Sequence, residues 1–183
     1  SAHKMYGPKG IGALYIRKKP RVRLFPLIDG GGQEQNLRSG TLPVPLCVGF
    51  GEAAEISKSV LGDEYKRTLK LRDLLLNKLR SNIEGLILNG SKECRLPTNI
   101  NISIDKVNSL KLIDKLQNVI ISSGSACTSN KIENSYVLSA MGLKKNEADS
   151  SVRMAVGRFT TKTHIEIAAK EIIKVVKQIR KNV

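Results

Sequence analysis

Residues 122–129 read Ser-Ser-Gly-Ser-Ala-Cys-Thr-Ser, a run of small side chains with one cysteine, Cys127, near its middle. An apolar segment typical of a buried strand, 119–121, precedes this run, and a short predicted helix from Ser135, closed by Gly142, follows it. A loop with so little side-chain bulk cannot anchor itself in a core, so we expect it to move. A thiol on such a loop can reach a reagent that is held elsewhere.

Cys127 is also compatible with a structural role, because most free cysteines are small buried hydrophobic residues. No base lies near it in sequence, and the nearest histidine is the distant His164. A catalytic role for Cys127 therefore requires a second site, and the first residues of the chain provide a candidate.

The composition is basic, with 31 Lys and Arg against 16 Asp and Glu in 183 residues and a net charge of +15. This length allows one large domain or two small ones. A net positive charge of this size is compatible with binding to a nucleic acid or to an acidic protein partner. However, the lysines are spread along amphipathic segments, and a solvated turn explains the dense run 17–23 at least as well. We therefore expect no nucleic-acid partner.

The three cysteines are widely spaced and form no Cys-x-x-Cys pair. This spacing argues against a disulfide framework or a closed zinc site and favours a reducing compartment. We expect Cys47 to be buried and Cys94 to be inert in a polar turn. No apolar stretch is long enough to span a membrane, so we expect no membrane association. The chain starts at Ser1 with no lead-in to its first element, and we expect it to be part of a longer chain.

The segment 1–10 reads Ser-Ala-His-Lys-Met-Tyr-Gly-Pro-Lys-Gly, and a buried strand is predicted after it at 11–16. Lys4 is a plausible Schiff-base lysine, because a desolvated ammonium has a lowered pKa and becomes a nucleophile. Ser1 and His3 could donate hydrogen bonds to a phosphate. An exposed end that merely carries polar residues remains the alternative.

Two further groups of residues suit anionic ligands. The segments 30–34, Gly-Gly-Gly-Gln-Glu, and 38–41, Arg-Ser-Gly-Thr, combine free backbone N–H groups, hydroxyls and an arginine, a set that suits phosphate. Taken alone, this pattern is a weak indication of a phosphate site, since most glycine-rich turns only reverse the chain direction and bind no ligand. Arg153 lies in the predicted strand 151–156 and is either a structural ion-pair partner or a receptor for a carboxylate.

Hydrophobic periodicity predicts the remaining elements. Helical spacing runs over 48–56, a long helix begins at Asp63 and closes at Gly85, and a capping box of Thr163 and Glu166 opens the last helix. The other predicted elements are strands at 86–88 and 100–104 and a helix at 109–116.

Together these motifs resemble the cysteine desulfurases of the IscS/NifS class, which are pyridoxal-phosphate (PLP) enzymes of aminotransferase fold type I, class V. The likeness runs in order along nearly the whole chain. It is carried by the segments 1–10, 30–34, 38–43, 122–129, 150–153 and 157–161.

The resemblance implies an α/β fold and places this chain in the C-terminal half of such an enzyme. Residues 1–48 would be the trailing strands of the large PLP-binding domain, 49–84 linking helices, and 85–183 a small α+β domain that carries the Cys127 loop. The other half would supply the aspartate that pairs with the pyridine nitrogen and the histidine that stacks on the ring. We therefore expect the chain alone to be inactive.

The resemblance also implies an activity, the conversion of L-cysteine to L-alanine with a persulfide left on Cys127. Lys4 would hold PLP and move the Cα proton of the substrate, and Arg153 would hold the substrate carboxylate. The implied cofactor-binding residues are Ser1, Ala2, His3, Lys4 and Thr41, of which Thr41 would reach the phosphate of the partner subunit in a homodimer.

The implied partners are iron–sulfur scaffold and sulfur-relay proteins, and the sulfur would serve iron–sulfur cluster assembly and other transfer pathways. No permanent metal is implied, only a transient iron–sulfur contact through the persulfide of Cys127. The compartment would be cytoplasmic in a bacterium or the mitochondrial matrix in a eukaryote. The sequence departs from the pattern of this family at three places, and the departures concern local loop shape. Gln35-Asn36-Leu37 stands where the family usually has Arg-Gly and an apolar residue, the segment at Val107-Asn108-Ser109 is shorter, and Asn134 replaces a proline. A catalytically silent docking module remains an alternative.

Overall fold

The structure is a computed structural model, and it describes residues 1–123 and 135–181. The chain divides into two compact units, Ser1–Gly62 and Asp63–Val183. The expected boundaries between the large domain, the linking helices and the small domain lie at residues 48 and 84, and neither coincides with the division at Gly62. The three-part domain assignment stays a prediction.

The described residues form two 3-10 helices, five α-helices and three strands. The 3-10 helices are Ala2–Met5 and Glu34–Asn36. The helices are α1 (Val44–Arg80), α2 (Ser109–Lys115), α3 (Tyr136–Ala140), α4 (Lys145–Asp149) and α5 (Lys162–Lys181), and the strands are β1 (Leu86–Leu88), β2 (Asn99–Ile104) and β3 (Ser151–Ala155).

The predicted strand at 11–16 is not formed, and none of the residues 1–62 lies in a strand. A strand needs a neighbour to satisfy its ladder of hydrogen bonds, and the first unit offers none. Its apolar side chains stay exposed as a result, with Phe25 at 93% and Leu27 at 98%. The trailing strands that the resemblance implies are thus not present as strands.

The second unit is built on an antiparallel sheet in the order β1-β2-β3. The alternation predicted for β2 is confirmed, because Ile100, Ile102 and Ile104 are fully buried in the core. The other face is polar, and there Asn101 stands opposite Arg153. This sheet with its helices establishes the α/β class.

Helix α1 is a single helix, whereas the sequence predicts separate helices at 48–56 and from Asp63. Gly62 separates the two predicted helices, and its Cα faces open space. An exposed glycine inside a helix costs only about 1 kcal/mol, which a long packed helix tolerates. The predicted apolar positions Leu71, Leu75 and Leu79 are buried.

Helix α5 begins earlier than its predicted capping box. The backbone N–H of His164 donates to Thr161 Oγ1 at 3.2 Å, and the Thr161 N–H donates to His164 Nδ1 at 3.4 Å. The cap is therefore Thr161 with His164 rather than Thr163 with Glu166, because an imidazole nitrogen can accept in place of a carboxylate. The core face of the helix is confirmed, with five predicted residues buried: Ile165, Ala169, Ile172, Val176 and Ile179.

Candidate active site

The predicted lysine lies on the first 3-10 turn, where Lys4 N–H donates to the carbonyl of Ser1 at 3.2 Å. His3 and Lys4 are exposed, whereas Ala2 is fully buried. The Ala2 N–H donates to the carbonyl of Ile11 at 3.0 Å, which ties the turn to the chain that follows. The turn is therefore anchored through Ala2 and presents His3 and Lys4 to solvent.

Small residues let this turn approach the first half of α1 closely. A Cβ at Gly7 would lie 3.0 Å from Ala2 Cβ and 3.2 Å from Ala53 Cβ. A Cβ at Gly49 would lie 3.3 Å from the Pro8 ring. These contacts leave no room for larger side chains, so helix α1 fixes the place of the lysine turn within the first unit.

The second predicted group forms a compact loop in the same unit. Gly40 N–H donates to Gln33 Oε1 at 3.0 Å, and Arg38 Nη1 donates to the Ser39 carbonyl at 2.9 Å. Ser39 is buried, and its N–H donates to the Ile28 carbonyl at 3.4 Å. Thr41 follows this anchored segment and is exposed.

Three successive residues of this loop, 34–36, are left-handed, and Asn36 has φ 62°. The resemblance to the cysteine desulfurases leads us to expect glycine at this position, so Asn36 is a departure from the expected pattern. Asparagine is the side chain that best tolerates this conformation after glycine, so the departure preserves the backbone path.

Substitution of Asn36 should reveal that conformation. We expect Asn36→Gly to leave the free energy of unfolding within about 0.5 kcal/mol of the original and Asn36→Val to lower it by about 1–2 kcal/mol, because a β-branched residue is strained at positive φ. Denaturant unfolding of the chain measures both. Equal stabilities for the glycine and valine variants would contradict the left-handed backbone.

Arg153 lies in the middle of β3, in the second unit, on the polar face of the sheet. Its side chain is exposed and forms no ion pair with the residues that the structure describes. Both roles that the sequence left open, a structural ion pair and a receptor for a carboxylate, stay predictions.

The segment before the cysteine run is fixed at two points. Ser122 and Arg153 form an antiparallel bridge, with N···O distances of 3.0 and 2.6 Å. Glu171 Oε1 accepts from the N–H groups of Gln117 at 2.6 Å and Asn118 at 3.1 Å. The predicted strand at 119–121 is otherwise not formed, and Ile120 is exposed. Cys127 and its predicted loop lie outside the described residues.

The two N–H donors, Gln117 first and Asn118 second, lower the pKa of the Glu171 carboxyl below its ordinary value. A lowered folded-state pKa means that this group stabilises the fold above its ordinary pKa and ceases to do so as the pH falls through the folded value. We expect Glu171→Gln to unfold at a lower temperature than the original chain at neutral pH and at the same temperature in strong acid.

Thermal unfolding between neutral and strongly acidic pH measures this convergence. Glu166→Gln is the matched control, because Glu166 is exposed on the same helix and its carboxylate has no hydrogen-bond partner in the described ranges 1–123 and 135–181. A difference between Glu171→Gln and the original chain that stays constant with pH would contradict the assignment.

The predicted tail signature at 157–161 is held by an arginine that the sequence analysis did not single out. Arg67, on α1, donates to the carbonyls of Gly157, Arg158 and Thr160 at 3.0, 2.7 and 2.7 Å. Arg158 Nε in turn lies 3.0 Å from Glu64 Oε2. These bonds fix the turn between β3 and α5.

Of the other cysteines, Cys47 is half-buried rather than buried, and Cys94 is exposed. The Cys94 N–H donates to Ser91 Oγ at 2.9 Å, which confirms a polar turn. A groove of about 510 Å³ lies in the second unit. It is lined mainly by apolar side chains, such as Ile121, Met154 and Ile172, and by none of the predicted site residues.

The sequence profile of the aminotransferase class-V family matches residues 1–167, and the chain therefore belongs to that family. Within it, the chain is similar to cysteine desulfurases. The cysteine desulfurase IscS of Ehrlichia chaffeensis is 49% identical over 181 residues, which are 98% of this chain and 44% of the relative. The mitosomal cysteine desulfurase of Encephalitozoon cuniculi is 48% identical over 179 residues, 98% of this chain and 41% of the relative.

The fold leads to the same group of proteins. A solved structure described as a NifS-like protein matches with a TM-score of 0.84 and 33% identity, over 97% of this chain and 45% of the solved chain. The predicted resemblance to the IscS/NifS class is thereby confirmed. The chain spans less than half the length of these relatives.

Membrane-spanning helices and metal-binding clusters are both absent from the described part of the chain. No helix within it is long and apolar enough to cross a membrane. The same residues contain no group of three or more histidine, cysteine and acidic side chains that could hold a metal ion.

Proposed function

We propose that the protein to which this chain belongs is a PLP-dependent cysteine desulfurase that converts L-cysteine to L-alanine and leaves a persulfide on Cys127. The observation that carries the proposal is the lysine turn. Lys4 is exposed on a turn whose Ala2 is fully buried, in a chain 49% identical to a cysteine desulfurase. Such a turn can hold a reactive amine at a fixed place.

The donors of the first unit fit a PLP cofactor. Lys4 offers an exposed amine, and Ser1, His3 and Thr41 offer a hydroxyl, an imidazole and a second hydroxyl, all exposed. Amine and hydroxyl donors of this kind are what an aldehyde and a phosphate require. We assign Lys4 to the aldehyde and Ser1 and His3 to the phosphate end, with the buried Ala2 as the residue that anchors this cofactor-binding turn. We assign Thr41 to the phosphate of the partner subunit in a homodimer.

When bound, PLP supplies the electron sink that lets the bonds at the substrate Cα and Cβ break. Lys4 Nζ takes the proton from Cα and returns a proton during the formation of alanine. The guanidinium of Arg153 binds the substrate carboxylate with two parallel hydrogen bonds. The exposed position of Arg153 on the polar face of the sheet, without an ion-pair partner in the described chain, supports this role.

Cys127 acts as the nucleophile. Its thiolate attacks the substrate sulfur, a sulfur–sulfur bond forms, and the carbon–sulfur bond breaks with its electron pair left on the substrate carbon. Protonation of that carbon gives L-alanine, and the sulfur stays on Cys127 as a persulfide. The bridge between Ser122 and Arg153 supports a common site, since it fixes the start of the cysteine segment beside the carboxylate receptor.

The domain assignment belongs to the same proposal. Residues 1–48 would complete a large PLP-binding domain, with 11–16 as a strand that pairs with strands from elsewhere in the protein. Residues 49–84 would form linking helices and 85–183 a small α+β domain. The exposed apolar side chains at Leu14, Phe25 and Leu27 support this, because a neighbouring sheet would bury them.

The proposed acceptors of the sulfur are iron–sulfur scaffold and sulfur-relay proteins, with a transient iron–sulfur contact through the persulfide. The compartment would be bacterial cytoplasm or a mitochondrial matrix, and the names of the relatives include both bacterial and mitosomal desulfurases.

The test is an assay of the full-length protein with L-cysteine and a thiol reductant. The proposal expects alanine and sulfide in equal amounts and complete dependence on PLP. A protein that binds PLP but forms no alanine, or that binds none, would instead be a silent docking module. A salt-sensitive gel shift without turnover would favour a nucleic-acid-binding protein.

A further inference from the structure

We infer that Gln33 is a positioning residue, which holds the backbone before Thr41 so that the Thr41 hydroxyl meets the cofactor phosphate. The inference rests on the proposed function, in which Thr41 binds that phosphate. It adds a residue whose own side chain would not touch the cofactor.

The contact that carries the inference is a single hydrogen bond across the glycine loop. Gln33 Oε1 accepts from the N–H of Gly40 at 3.0 Å, seven residues later in the chain. Gly40 has φ 118°, a conformation that only glycine adopts readily, and Thr41 follows it directly. The bond therefore fixes the Ser39–Gly40 peptide unit, one residue before Thr41.

The other bonds nearby act on Ser39, the residue before Gly40. Arg38 Nη1 donates to the Ser39 carbonyl at 2.9 Å, but this bond joins two neighbouring residues and does not tie Gly40 to another part of the loop. The Ser39 N–H is bonded to the Ile28 carbonyl, which holds the loop on the side away from Thr41. Thr41 itself makes no hydrogen bond to any of the residues described, and the first bond beyond it is Val44 N–H to the Leu42 carbonyl at 2.9 Å. Among the described residues, Gln33 is therefore the one that bonds the backbone of Gly40 or Thr41.

The amide of Gln33 is itself confined. A Cβ at Gly31 would lie 3.1 Å from Gln33 Nε2 and 3.2 Å from Gln33 Oε1. The absence of a side chain at Gly31 therefore makes room for the observed conformation of the Gln33 amide. Gly31 has an ordinary φ, and alanine fits its backbone. Gly31→Ala should therefore disturb Gln33 without straining the main chain.

A positioning role predicts a selective effect. Loss of one hydrogen bond that orders a binding loop weakens binding by roughly 3- to 10-fold. This loss should apply to PLP, whose phosphate contacts Thr41, and not to pyridoxal, which has the same ring and aldehyde but no phosphate. A merely structural role would weaken both ligands equally.

The experiment measures the dissociation constants of PLP and pyridoxal with the full-length apoprotein, by absorbance of the bound chromophore. The test variants are Gln33→Met, which keeps the side-chain length and lacks the amide acceptor, and Gly31→Ala. The matched control is Gln35→Met, since Gln35 is an exposed glutamine in the same turn. Thr41→Val reports on the phosphate contact itself.

The inference expects Gln33→Met, Gly31→Ala and Thr41→Val each to lower the affinity for PLP and to leave that for pyridoxal unchanged, while Gln35→Met changes neither. If Thr41→Val shows the selective loss and Gln33→Met does not, the inference fails and the proposed function stands. If Gln33→Met weakens both ligands or unfolds the protein while Gly31→Ala shows no selective loss, the inference also fails. If Thr41→Val leaves the PLP affinity intact, the proposed phosphate site itself is wrong.

Discussion

Replacement of Cys127 by serine is expected to abolish the formation of alanine from L-cysteine while the full-length protein keeps the colour of its bound cofactor. The hydroxyl of serine is a far poorer nucleophile than a thiolate toward the sulfur of the substrate. Turnover should fall by on the order of a thousandfold or more, because the carbon–sulfur bond breaks only when the sulfur has an acceptor. Alanine is measured directly, and the cofactor by its absorbance.

The other two cysteines provide matched controls. Cys94 is exposed and Cys47 is half-buried. The same substitution by serine at these two positions therefore tests an exposed cysteine and a partly buried one. We expect Cys94→Ser and Cys47→Ser to retain turnover. Full turnover by Cys127→Ser would remove Cys127 from the mechanism.

Replacement of Lys4 by alanine is expected to remove both covalent attachment of PLP and detectable turnover. Lys4 is the only lysine on the turn at residues 1–4, so this turn offers no other side-chain amine to the aldehyde of PLP. Borohydride reduction of the holoprotein, followed by peptide mapping, should place the pyridoxyl group on Lys4.

Lys9 is the matched control for this prediction, because it is also exposed and lies five residues further along the same motif. We expect Lys9→Ala to keep the cofactor and most of the turnover. A pyridoxyl label on Lys9, or on any lysine of the second unit, would overturn the assignment.

The elements that the sequence predicted well are those whose pattern is local. Strand β2 has strict alternation, and helix α5 has an apolar face of five residues, so both follow from the sequence spacing alone. The predicted strand at 11–16 has comparable apolar content and does not form. Residues 1–62 contain no strand with which this segment could pair, and a local sequence pattern cannot indicate whether such a partner is present.

The residues of the candidate site also differ in whether their roles could be predicted from the sequence. Lys4 and Arg153 are candidates from their residue types, but the roles of Lys4, Thr41 and Arg153 follow only from the family resemblance. Arg67 and Glu171 could not be singled out, because each is an ordinary charged residue on a helix whose partners lie about 90 and 54 residues away. Gln33 lay inside a recognised motif, but its role depends on a contact with Gly40 that only the folded loop defines.

The central claim is that sulfur from L-cysteine is transferred to Cys127. Its most direct test is to incubate the full-length PLP-loaded protein with L-cysteine that carries a heavy sulfur isotope, without reductant, and to map the label by peptide mass spectrometry. The account predicts one labelled sulfur on the peptide that contains Cys127, in an amount equal to the alanine formed in the first turnover. Alanine formed with the label on Cys94 or Cys47, or with no label on any cysteine, would contradict it.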